Sequence, residues 1–151
     1  MTVLIALHVL AATIWVGGMF FAYVALRPVA AGILEPPKRL ELWSKVFNRF
    51  FVWVWTAVVL LPVTGFWMVF AYLGGYEHVG THVSLMTWAG IAMILLFMHV
   101  FFAPYRKLKQ ALAQEQIQQA ANNLNQIRQI IAVNLTLGIV VVLIASAGKY
   151  W

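Results

Sequence analysis

The chain contains no cysteine and no aspartate, and charged residues make up only 9% of its 151 positions. The missing cysteine excludes disulfide frameworks and thiolate metal sites, and says nothing about redox compartment. The missing charge excludes more. A soluble domain is typically about a quarter charged. A chain this short cannot hide a composition that is 64% hydrophobic and 15% aromatic in one aqueous core. An ordinary soluble enzyme, a disordered protein and a nucleic-acid binder are therefore ruled out. Nothing in the sequence has the pattern of a hydrolytic triad, a P-loop or a pair of catalytic carboxylates. The lack of acids inside the apolar stretches also tells against a proton-coupled carrier.

What is present is apolar length. Four stretches are long enough to cross a bilayer as helix, which takes roughly 20 residues. They run from Val3 to Leu26, Phe50 to Leu73, Val83 to Ala103 and Ile127 to Ala147, with no Lys, Arg or Glu in their central parts. Backbone at membrane depth must satisfy its own hydrogen bonds, so these are helices. The expected fold is all-α: an integral membrane four-helix up-down bundle, forming a single transmembrane domain over residues 1–151.

The basic residues orient it. Nine of the ten cations lie in or beside the first and third connections: Arg27, Lys38, Arg39, Lys45 and Arg49, then Arg106, Lys107, Lys109 and Arg128. Only Lys149 falls on the other face. By the positive-inside rule those connections are cytoplasmic and both termini periplasmic. The net charge of +6 is thus a topology signal before it is a partner signal. The first span lacks a basic region ahead of its apolar run, which predicts a retained helix rather than a cleaved signal peptide.

The connections carry helical patterns of their own. Proline at a helix start, followed by Leu40, Trp43, Val46 and Phe47, predicts a short amphipathic cytoplasmic helix at the lipid–water interface, or equally a helical lead-in to span two. Residues 104–126 keep a helical period through Leu108, Leu112, Ile117, Ala121 and Leu124. Spans three and four are expected to extend there as a polar helical hairpin with its Gln and Asn solvated.

Ionisable groups inside a membrane are costly and usually functional. The intramembrane candidates are His8 and His99, with His82 at the external boundary of span three and His78 beyond it. His8 lies roughly 7–8 Å deep and His99 roughly 24 Å, at 1.5 Å per residue, too far apart in depth to share one ion. His8, His82 and His78 form the expected metal-ligand set, with Glu77 as a carboxylate holding one imidazole tautomer. His99 is either a second ligand site or a hydrogen-bond partner of Asn134. Imidazole suits haem iron, copper or zinc alike. Ala11, Ala12, Gly17, Gly18 and Gly90 could leave room for a flat macrocycle walled by Trp15, Trp53, Trp55 and Trp88, or could serve close helix packing. Met19, Met93 and Met98 are soft donors at helical spacing, a position more typical of packing.

The stretch His8-Val9-Leu10-Ala11-Ala12-Thr13-Ile14-Trp15-Val16-Gly17-Gly18 resembles the first-helix signature of the copper-resistance CopD membrane family. Leu26-Arg27-Pro28, Leu34-Glu35-Pro36-Pro37, Arg49-Phe50-Phe51, Thr64-Gly65, Phe101-Phe102-Ala103-Pro104 and Ile127-Arg128 resemble a small four-helix branch of it. More distantly the pattern is similar to HemJ-type protoporphyrinogen oxidases, four-helix proteins associated with haem b, where Met98-His99 would match an aromatic–His step. The Trp-x-His-x-Lys opening of the third helix in that family is absent here, which tells against porphyrinogen oxidation.

The residues and the resemblances together leave three functional readings. The leading expectation is a haem b-binding inner-membrane protein with a redox or electron-transfer role, in which His8, His82, His99, Trp15 and Gly18 hold the cofactor. The second is a periplasm-facing copper-binding protein for resistance or uptake, with His8, His82, His78 and His99 as metal ligands. The third is a cofactor-free assembly subunit. The expected partners are the lipid bilayer and a membrane or periplasmic redox protein, with a second copy of the chain left open.

Overall fold

A computed structural model describes residues 1–150, with Lys149 described by its backbone alone. The side chain of Lys149, the one cation assigned to the external face, lies outside the described residues. The first apolar stretch forms α1 (Thr2–Phe20), a single widened π-helical stretch (Phe21–Leu26) and α2 (Arg27–Ile33), all in one continuous rod. Then come α3 (Pro36–Tyr72), α4 (Thr81–Phe102), α5 (Pro104–Ala113) and α6 (Ile117–Ala147), closed by a short 3₁₀ turn at Gly148–Tyr150. No strand occurs among the described residues, and the four long rods are each apolar enough to span a membrane. The protein is an all-α, multi-pass membrane bundle.

The helices run past the expected span limits because the polar residues that end each apolar run do not end the helix. The amphipathic stretch after Pro36 is the first part of α3, the lead-in alternative, and its apolar face turns inward: Leu40, Trp43 and Phe47 are buried. Pro62 interrupts one helix hydrogen bond without ending α3. Glycine ends it: Gly74 and Gly75 take φ of 79° and 94°, a left-handed turn that other residues adopt at a cost. The expected polar hairpin is present as α5 and the start of α6, joined through Glu115 at φ 56°. Its inner face packs Leu108, Ala111, Ala120 and Ile127, and Asn123 is buried rather than solvated.

Two antiparallel pairs, α1 with α3 and α4–α5 with α6, make the bundle. Aromatic rings fill the space between them. Phe97 of α4 receives Trp15 at 6.2 Å, Phe51 at 5.3 Å and Trp55 at 5.3 Å, all edge-on. Edge-to-face pairs are worth about 0.5–1.5 kcal/mol each beyond the area they bury. Tyr105, stacked edge-on against Phe51 at 4.9 Å, extends the column toward the basic end. Outward-facing residues such as Val3, Phe21, Trp53, Trp67 and Trp88 are exposed around the bundle, which gives the lipid an apolar surface.

Candidate functional site

His8 sits on the second turn of α1, half-buried against α3. Its Nδ1 lies 2.8 Å from Oγ1 of Thr64, a residue only 2% exposed. The Thr64 hydroxyl has one proton, and that proton goes to the Leu60 carbonyl at 2.6 Å. The imidazole is therefore the donor to Thr64. A neutral ring that donates from Nδ1 carries its lone pair on Nε2. Gly65 completes the seat, since a Cβ there would lie 3.3 Å from the Cε1 of the ring. The Thr64-Gly65 pair thus fixes both the tautomer and the position of His8, in the way that second-sphere groups orient metal-binding imidazoles. The sequence placed His8 in the membrane but gave no partner on span two. Thr64 could have been found only by knowing that α1 and α3 pair.

The other histidines do not join it. His82 opens α4 and packs against the end of α6, where a Cβ on Gly148 would lie 2.5 Å from the His82 Cβ. His78 is exposed in the α3–α4 turn, and its Nδ1 lies 3.0 Å from the Gly74 carbonyl of the same turn. Glu77 is exposed and pairs with neither histidine, since the ion pair found among the described residues is Glu41–Lys45. No group of three His, Asp or Glu close enough to hold a metal ion occurs among the described residues, so the expected His8–His82–His78 cluster does not assemble. The physical reason is helix pairing: His8 is committed to α3, and His82 to the end of α6.

His99 is exposed near the end of α4, on the side away from the buried Phe97 and Val100. The expected His99–Asn134 bond is absent. Asn134 instead reaches inward, and its Nδ2 lies 3.4 Å from the Met93 carbonyl. Its Oδ1 is buried without a partner and borders a cavity of about 20 Å³, between Trp15, Met19, Val54 and Phe97. That space is about the size of one water molecule.

The same cavity bears on the macrocycle expected beside Gly18. A haem needs a pocket of the size of a cofactor site, several hundred Å³, and the space beside Trp15 and Phe97 is about 20 Å³. Gly18 is filled by the Phe50 ring, which a Cβ would overlap. Trp15 is buried in the aromatic column, while Trp53 and Trp88 face outward. Trp15 and Gly18 are taken up in packing, and the space beside them does not fit a haem.

A sequence profile of the family described as "Copper resistance protein D" matches residues 44–147, which covers α3 from Ser44 to the end of α6. Thr64 and Gly65 fall inside the match and His8 outside it. An uncharacterized protein of Aquifex aeolicus (strain VF5) is 32% identical over 92 residues, covering 60% of this chain and 59% of that protein. The matched region thus spans less than two thirds of the relative. No solved structure matches the chain significantly.

Proposed function

The chain belongs to the copper resistance protein D family, and we propose that it handles copper within the bacterial inner membrane, for resistance or uptake, through His8 at the periplasmic end of the α1–α3 pair. The observation that carries this reading is the 2.8 Å hydrogen bond between His8 Nδ1 and Thr64 Oγ1. With Nδ1 so engaged, Nε2 is the ring nitrogen left to meet a metal, and imidazole is a good copper ligand. Met68, one turn beyond Thr64 on the same face of α3 and half-buried, puts a soft thioether on that seam. Copper is the cargo here, met by one histidine rather than caged by a closed set of ligands. The positive-inside rule supports the orientation, with the basic connections cytoplasmic and both termini periplasmic.

The test is a Cu(I) titration of the purified full-length protein against a chromophoric chelator. Wild type binds copper, and His8→Ala loses it while His78→Ala and His82→Ala do not. Retention by His8→Ala overturns the reading. A Soret band with sharp dithionite-reduced α/β bands in the purified protein would also overturn it, in favour of haem.

A further inference from the structure

At the opposite, basic end of the bundle a groove of about 570 Å³ opens between the π-helical stretch and α2, the start of α3, and α6. Three arginines line it from three different helices: Arg27, Arg39 and Arg128. No carboxylate lines it, and none pairs with these arginines among the described residues. Arg27 lies over the Tyr23 ring at 4.8 Å, and Arg128 is held by Asn125 Oδ1 at 2.5 Å. Like charges brought to one concavity repel one another unless an anion joins them. The floor beneath them is apolar, formed by Leu40, Trp43, Phe47 and Leu124.

We propose that this groove binds the phosphodiester headgroup of an anionic phospholipid from the leaflet on the basic side, with an acyl chain against the aromatic floor. The charge pattern selects the anion, and the guanidinium fork matches phosphate oxygens. The volume selects a lipid over free phosphate, because it is that of a site for a much larger ligand. The level fits as well: Arg27 directly follows the first apolar run and Arg128 lies at the very start of the fourth, where headgroups lie. The widened π stretch contributes Ala22 and Tyr23 to the wall and brings Arg27 in from α2. Such wide turns are frequently found at functional sites.

The test uses the full chain in phosphatidylcholine nanodiscs doped with phosphatidylglycerol, read by native mass spectrometry. Wild type retains a single phosphatidylglycerol in preference to phosphatidylethanolamine. Arg27→Gln, Arg39→Gln and Arg128→Gln each weaken that preference roughly fivefold, given about 1 kcal/mol per cation near the membrane surface. Arg106→Gln, whose guanidinium lies over Phe102 outside the groove, leaves it unchanged. The three variants are made singly, so that each can be checked for wild-type helicity before lipid is scored. Equal retention by the groove variants and wild type overturns the proposal. So does equal retention of phosphatidylethanolamine, or displacement of the lipid by inorganic phosphate, which would assign the site to a free anion.

Discussion

Asn134→Leu should stabilise the protein. In the wild type the Oδ1 atom is buried in the aromatic interior with no partner, beside a cavity of about 20 Å³. A buried polar atom left unpaired costs about 1–3 kcal/mol. Filling the cavity recovers about 0.5 kcal/mol, at roughly 24 cal/mol per Å³. Against this stands the contact from Nδ2 to the Met93 carbonyl, long at 3.4 Å. Side-chain hydrogen bonds between membrane helices average about 0.6 kcal/mol. The loss orphans nothing, because the Met93 carbonyl keeps its place in the α4 helix ladder. The balance favours leucine by about 1–3 kcal/mol. Unfolding by SDS titration in mixed micelles, followed by tryptophan fluorescence, reads the change directly. Asn134→Ala, which enlarges the cavity, should lie below leucine in the same assay. Clear destabilisation by leucine would refute the reasoning and mean that a bound water or ligand satisfies Oδ1.

Thr64→Val keeps the shape of a 2% exposed side chain and removes the acceptor for His8. Copper affinity in the chelator titration should fall about 10–100-fold, and Thr64→Ser should restore most of it. Gly18→Ala forces a Cβ into the Phe50 ring, so the same SDS titration should show a loss of roughly 1–3 kcal/mol. Gly17→Ala meets open space and serves as the tolerated control.

The architecture was readable because the membrane enforces it. Emptied of charge, each apolar run had to be a helix, and the runs were few and well separated. The ends were harder to place. Arg27, Lys38 and Gln126 stop hydropathy without stopping the helix, so the rods extend into polar ends whose inner faces, at Leu40, Leu108 and Ile127, are core. The site was half legible. A histidine near the end of an otherwise uncharged span singles itself out, and His8 proved to be the ring held by a side chain of another helix. The grouping of histidines failed because depth along a helix says nothing of direction around it. His99 lies at a plausible depth but on the outer side of α4, and Thr64 is an unremarkable residue until α1 and α3 are known to pair. The macrocycle room expected around Gly18 is taken by Phe50 from a different helix, a long-range contact that no local pattern encodes.

The most direct test of the central claim is ¹⁵N-histidine NMR of the reconstituted full-length protein, titrated with Cu(I). The account predicts that His8 starts as the Nδ1–H tautomer, and that copper shifts its Nε2 resonance while the Nδ1 proton stays on the ring, directed at Thr64 Oγ1. A shift confined to His78, His82 or His99, or an Nε2–H tautomer of His8 in the metal-free protein, would contradict it.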